Sequence, residues 1–308
     1  MAAVFLVLNT GSGRRDRAKA LQEIEGALQA AGRRYEVFKV ARGRDVAAVA
    51  ARAAGLAAGC GGILAAAGGD GTLNSVAHAA LDADVPFGVV PLGTFNYFAR
   101  ENGIPLETAA AAAALSEGTE HPVQVGLVNG HVFLVNASLG FYPRLLEDRE
   151  AFKQQYGRTR WVALLAALWT LLVRAHPKLV VRLTARGEMQ VQRISTLFVG
   201  NNPLQLARLG IREAQAVEAG QLAAIRVRPT GAWGLLDILL YGAVGRLGQA
   251  AGVEAFAFHE MEVAPLRPRR RALFVKVAID GESLRLKLPL LFRVAPRRLR
   301  LLRPGGTA

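Results

Sequence analysis

Four short strand-like runs in the first hundred residues, three apolar and one alternating (YEVFKV), each give way to a turn and then to a stretch of helical periodicity. That alternation leaves the start of the chain very few folds. VFLVL (4–8) leads into NTGSG, YEVFKV (35–40) into an alanine-rich stretch beginning at Asp45, GILAAA (62–67) into GGDGT, and FGVVP (87–91) into LGTFNYFAR. Leu21, Ile24 and Leu28 recur on one helical face, as do Leu73, Val76, Ala77 and Ala80. Apolar runs of this length alternating with amphipathic helices predict a parallel sheet between helix layers. Such sheets bind ligands at the carboxyl ends of their strands, so the turns after the strands are the place to look for chemistry.

Beyond about residue 122 the rhythm becomes that of antiparallel strands. VQVGLVNGHVFLVN (123–136) carries Asn129-Gly130 between two apolar runs, a hairpin signal. A second hairpin is expected across 178–200, turning at Arg186-Gly187, and the β pattern returns at 222–229 and 272–289. Helical interruptions fall near 144–174 and 233–248. The predicted architecture is α/β plus mainly β. An N-terminal three-layer domain with a parallel sheet spans 1–122, and a C-terminal antiparallel β-sandwich domain spans 123–298. The tail, 299–308, is expected to pack back on the first domain.

Composition enters as a bound on function. With 308 residues, 52% hydrophobic and 20% charged, the chain can build two packed cores. The formal charge of +14 suits an anionic partner such as a nucleotide or an acidic membrane surface, although an arginine-rich composition accounts for it equally well. Cys60 stands alone, which excludes an internal disulfide and a cysteine zinc site. The start reads as strand and turn rather than as a secretory leader. The most apolar segment, 161–173, is 13 residues long where a spanning helix needs roughly 20. A cytoplasmic location is expected, with any membrane contact peripheral.

The turn at 68–72 is the most specific. Gly68, Gly69 and Gly71 let backbone N–H groups approach an anion, and the helix that follows adds partial positive charge. A carboxylate there would repel phosphate unless a cation intervenes, so Asp70 reads as a ligand for Mg²⁺ against nucleotide phosphates. Helix capping explains Asp70 and Thr72 but not the three glycines. The turns after the first and fourth strands supply further small polar groups in Asn9, Ser12, Gly13, Gly93, Thr94 and Asn96. Arg14, Arg15 and Arg100 are candidate charge neutralisers. Neither GxxxxGK[ST] nor a GxGxxG after a strand is present, so neither a P-loop nor a Rossmann dinucleotide site is expected. Asp280 and Glu282, flanking Gly281 at a strand end, offer a carboxylate to deprotonate an acceptor hydroxyl; taken alone, Asp-Gly there is a hairpin turn.

Together these stretches resemble the catalytic family of diacylglycerol and sphingosine kinases, in its bacterial lipid-kinase branch, over nearly the whole length. The family's first turn is matched by Asn9, Ser12 and Gly13, with Thr10 in place of proline. Gly-Gly-Asp-Gly-Thr is matched in full at 68–72, and its next motif resembles PLGTFNYFAR (91–100). NASLGF (136–141) resembles its interdomain segment, and Asp-Gly-Glu stands at 280–282. The chain departs from the pattern twice. Tyr97 replaces an aspartate, and Glu218-Ala219-Gly220 stands where Asp-Asp-Gly is usual.

The resemblance implies a two-domain enzyme with ATP and Mg²⁺ in an interdomain cleft. Asp70 would serve metal and phosphates, with Glu218 as a further metal carboxylate, and Glu282 or Asp280 would be the general base on a lipid hydroxyl. The β-rich domain would hold the acyl chains, and the 161–173 segment, with Trp161 and Trp169, would border that pocket, touch the bilayer or simply pack in the core. Arg267, Arg269, Arg270, Arg271, Arg297, Arg298 and Arg300 either favour anionic lipid surfaces or are solvated. The expected partners are therefore a nucleotide and a lipid at a membrane surface, with no nucleic acid; a homodimer is compatible with the sequence. Two alternatives stand beside this reading. One is a nucleotide- or lipid-binding protein that has lost catalysis, suggested by Ala219 and Tyr97. The other is an NAD kinase, for which RPTGAWG (228–234) is only a partial match.

Overall fold

A computed structural model describes residues 2–11, 14–140, 179–185, 188–194, 196–228, 232–265 and 273–305. Ser12, Gly13, the expected helix within 144–174 with Trp161 and Trp169, the Arg186-Gly187 turn and Arg267, Arg269, Arg270 and Arg271 lie outside the described residues. The chain divides into two compact units, Met1–Val125 with Ala295–Ala308, and Gly126–Val294.

In the first unit, strands β1 (Val4–Asn9), β2 (Tyr35–Val40), β3 (Ile63–Gly68) and β4 (Phe87–Pro91) pair in parallel in the order β2-β1-β3-β4. Every residue of β3 and β4 is buried. That is why these strands read as unbroken apolar runs rather than alternating ones. Helices α1 (Arg14–Ala30) and α5 (Thr108–Glu117) pack on each other, as do α2 (Val46–Cys60) and α3 (Asp70–Ala83). The predicted faces are the buried ones: Leu73, Val76, Ala77 and Ala80 of α3 are fully enclosed, as are Ile24 and Leu28 of α1, with Leu21 at the margin of that face.

The sheet does not stop at β4. Strand β18 (Leu299–Arg303) runs parallel beside β4 and antiparallel to β5 (Thr119–Val123), which forms the edge. Arg300 holds this addition in place: Nε donates to Glu120 Oε2 at 2.8 Å and Nη1 to the Asp84 carbonyl at 2.8 Å. Arg298 Nη1 donates to Gln124 Oε1 at 3.2 Å. Both arginines therefore have local partners, which answers part of the charge in this stretch.

The second unit is antiparallel throughout its described pairings. One sheet runs β10 (Glu188–Ile194), β9 (Leu179–Ala185), β14 (Glu260–Pro265), β17 (Leu290–Val294), β6 (Gly126–Val128), β7 (His131–Phe133). The other runs β13 (Val253–Phe258), β12 (Leu222–Val227), β11 (Thr196–Gly200), β8 (Asn136–Gly140), β15 (Phe274–Ile279), β16 (Glu282–Lys287). One core joins them: Phe133, Met261, Val263, Leu290 and Phe292 from the first meet Leu139, Leu197, Val199, Phe258 and Val277 from the second. This is the sandwich packing expected of two sheets with apolar inner faces. Short helices α6 (Pro203–Arg208) and α7 (Ala214–Glu218) cover the outer face of the second sheet through Leu206, Ala214 and Val217. Helix α8 (Ala232–Ala243) joins that layer through Ile238 and Tyr241. Among the described residues no helix is long and apolar enough to cross a membrane.

Candidate functional site

Three of the predicted turns meet at the carboxyl edge of the first sheet. The chain moves from β1 outward to β2 on one side and onward from β3 to β4 on the other, so the strand order reverses between β1 and β3. A crevice opens at such a reversal in open α/β sheets. Asn9, the last residue of β1, bridges it: Nδ2 donates to Thr72 Oγ1 at 2.9 Å, and Oδ1 accepts the Gly11 N–H at 2.9 Å.

The glycines let the turns close on one another. A Cβ on Gly68 would lie 2.6 Å from the Thr72 Cβ, and one on Gly93 would lie 2.8 Å from the Gly69 Cα and 2.7 Å from Asn96 Oδ1. At Gly69 and Gly93 the turns after β3 and β4 therefore approach backbone to backbone. Asn96, 6% exposed and with a left-handed φ of 50°, locks the second turn. Its Oδ1 accepts the Gly93 N–H at 3.1 Å and its Nδ2 donates to the Gly93 carbonyl at 2.9 Å. Thr94 and Arg100 are exposed on this turn and the short helix α4 (Tyr97–Glu101) after it, with Arg100 Nε donating to the Phe95 carbonyl at 3.1 Å.

Asp70 opens α3 at the centre of this arrangement. Burial raises its carboxyl above the ordinary value, and a hydrogen bond from the Asn96 backbone N–H offsets part of that rise. Its Oδ1 is buried and has no hydrogen-bond partner among the described residues. A buried carboxylate oxygen without a donor is costly unless a cation or a ligand group meets it. No cluster of three or more His, Cys, Asp or Glu surrounds it among the described residues. A single protein carboxylate completed by phosphate oxygens and water is how Mg²⁺ is commonly held at nucleotide sites, so the residues present fit that ion.

The other predicted carboxylates belong to the second unit. Asp280 and Gly281, with φ of 45° and 92°, form the two-residue turn between β15 and β16. Both left-handed positions suit Asp-Gly. The Asp280 carboxylate is 8% exposed and accepts three backbone N–H groups: Leu134 at 2.7 Å, Val135 at 2.9 Å and Asn136 at 2.8 Å. Its own N–H donates to the Asn136 carbonyl at 2.9 Å. It thus ties the hairpin to the strand that opens NASLG. Asn136 Nδ2 extends the network to Gln205 Oε1 at 3.1 Å. Glu282 is exposed as a residue, yet protein around its carboxyl raises its pKa by desolvation. Glu218 is exposed at the end of α7, followed by Ala219 and by Gly220 in a left-handed conformation.

The first unit thus brings together Asn9, Gly68, Gly69, Asp70, Gly71, Thr72, Gly93 and Asn96. Asp280, Glu282 and Glu218 lie on the second. The sequence reading passed over Phe95, whose signal was a large aromatic residue in a polar turn. Its ring stacks on that of Tyr97, with centroids 5.9 Å apart and planes 8° from parallel. A cavity of about 540 Å³ lies at the opposite, amino end of the same sheet, bordered by Arg33, Asp84, Glu120 and Arg300. It shares no residue with the turns.

Residues 3–128 match the family described as diacylglycerol kinase catalytic domain. Over 255 residues the chain is 33% identical to a protein of Pseudomonas aeruginosa named "probable lipid kinase YegS-like", covering 79% of this chain and 77% of that one. It is 43% identical over 89 residues to the diacylglycerol kinase of Bacillus subtilis, 28% of this chain and 29% of that one. A crystal structure of a proposed diacylglycerol kinase from Bacillus anthracis has the same fold: the TM-score is 0.73 at 20% identity, with 98% of this chain and 97% of the other covered. From the converging glycine turns to the full-length fold, these findings agree: the chain belongs to the diacylglycerol kinase-like lipid kinase family.

Proposed function

We propose that this protein is an ATP-dependent lipid kinase that phosphorylates a hydroxyl of a diacylglycerol-like amphiphile at a membrane surface. The observation that carries the reading is the buried, donorless Oδ1 of Asp70 between two glycine turns. Backbone N–H groups of the turns bind the phosphates, Asn9 and Asn96 hold the turns in register, and Asp70 holds Mg²⁺, which neutralises phosphate charge when bound. Glu282 serves as the base. Its raised pKa brings it nearer the range in which a carboxylate both stays ionised and accepts a proton. Asp280 is assigned to architecture, because its oxygens are taken up by three backbone N–H groups. In the reaction the hydroxyl proton passes to Glu282, the hydroxyl oxygen bonds the γ-phosphorus, and the bond from that phosphorus to the β–γ bridging oxygen breaks, leaving ADP.

The test incubates the protein with γ-labelled ATP, Mg²⁺ or Mn²⁺, and mixed micelles of diacylglycerol, monoacylglycerol, phosphatidylglycerol, sphingoid bases or a total bacterial lipid extract. A labelled lipid that disappears with Asp70→Asn is expected. ATP binding with no labelled lipid under either metal would overturn the kinase reading and leave a binding protein.

A further inference from the structure

We propose that Phe95 and Tyr97 form a stacking platform for the nucleobase, resting on the reading above that the glycine turns take nucleotide phosphates. Phe95 is 52% exposed, so ring surface faces solvent. It is nonetheless oriented. One ring face lies against Tyr97, nearly parallel at a centroid distance of 5.9 Å. Its carbonyl accepts from Arg100 Nε, and its neighbour Asn96 is buried and doubly bonded to Gly93. An exposed aromatic ring held in one orientation presents a flat apolar face to solvent. The separation from Tyr97 leaves no room for a base between the rings, so a base adds on the outer face of Phe95.

Position supplies the second argument. Phe95 lies two residues beyond Gly93, whose Cα region touches Gly69 beside Asp70. Phosphates on those glycines leave the rest of the nucleotide within the same turn's surroundings. Stacking recognises a π-face without reading hydrogen bonds, so the platform favours purines through their larger ring area rather than by a specific contact. Tyr97 supports the inner face of the Phe95 ring.

The experiment measures binding of Mg·ATP and of Mg·tripolyphosphate, which lacks base and sugar, to the full chain by calorimetry. The wild type should bind ATP more tightly than tripolyphosphate. Phe95→Ala should weaken ATP roughly tenfold, within what base–aromatic stacking contributes, and leave tripolyphosphate unchanged. Phe95→Trp should retain ATP affinity, and its far-UV spectrum and melting temperature should match the wild type. Unchanged ATP affinity in Phe95→Ala, or an equal loss for both ligands, would overturn the platform while leaving the kinase reading intact. Failure of the wild type to bind either ligand would overturn both, whereas platform behaviour without lipid phosphorylation would overturn only the kinase reading.

Discussion

Replacing Asp280 by asparagine separates structure from chemistry in the Asp-Gly-Glu turn. Asparagine keeps the left-handed conformation at low cost and nearly the same volume. It converts one carboxylate oxygen into an NH₂ group, which cannot accept from a backbone N–H, and makes the other a neutral acceptor. With the Oδ2 position so converted, the Leu134 N–H, now 2.7 Å from Oδ2, would face a donor, leaving a buried group unsatisfied at about 1–3 kcal/mol. The bonds from Val135 and Asn136 would lose their charge assistance, worth about 1 kcal/mol each. The sum is a destabilisation of about 3–5 kcal/mol in the unit Gly126–Val294. At roughly 2–4 °C per kcal/mol, that is a drop in melting temperature of about 10 °C. Urea denaturation and a thermal melt measure it, with phosphoryl transfer assayed well below the transition. Stability within about 1 kcal/mol of wild type, together with a collapse of kcat, would refute the architectural assignment and make Asp280 the base.

Three further outcomes are expected. Asp70→Asn should lower phosphoryl transfer by about 10²-fold or more yet raise stability in metal-free buffer at neutral pH. The sign follows from the raised pKa: the folded protein holds the proton more tightly than the unfolded chain, so ionising Asp70 costs stability above its unfolded pKa, and asparagine removes that cost. Mg²⁺ with nucleotide should raise the melting temperature of the wild type and not of this variant; equal shifts would remove Asp70 from the metal site. Glu282→Gln should cut kcat by about 10²–10⁴-fold with little change in melting temperature. In the wild type, activity should fall with decreasing pH through a pKa above the ordinary glutamate value, because the base must be ionised; an acid limb that persists in the variant would exclude Glu282. Gly93→Ala should separate the turns after β3 and β4 and weaken nucleotide binding, since the new Cβ meets the Gly69 backbone at 2.8 Å. Calorimetry showing wild-type ATP affinity would show that the turns need not touch.

The parts that sequence reasoning reached are those governed by local periodicity. β2 and β4 fall on the runs that signalled them for different reasons: β4 is buried throughout and leaves an unbroken apolar signature, whereas β2, a partly buried edge strand, shows itself by alternation. The Asn129-Gly130 hairpin was legible for a similar reason, since its left-handed conformation is encoded in two adjacent residues. β13 and β14 were missed: only His259 separates them, no glycine or proline marks the break, and the two strands pair in different sheets. β5 carries Pro122 and is largely exposed, so nothing in TEHPV announces a strand until β18 lies beside it. The same division holds for the candidate site. The glycine turns could be named from their composition, and their convergence followed from the rule for parallel sheets. The function of Asp280 could not, because the N–H groups it binds are some 145 positions away in the chain.

The placement of β18 between β4 and β5 bears on biosynthesis. A ribosome delivers β4 and β5 early, then all of Gly126–Val294, and only afterwards the strand that joins the first two. At about 5–20 residues per second, the flank of β4 waits on the order of ten seconds or more with its backbone amides and carbonyls unpaired. During that interval the nascent first unit is a sheet with an open apolar margin, the kind of surface that chaperones and stray strands recognise. Emergence of Leu299–Arg303 is therefore the step that lets β4 and β5 be joined in one sheet, long after both have been made.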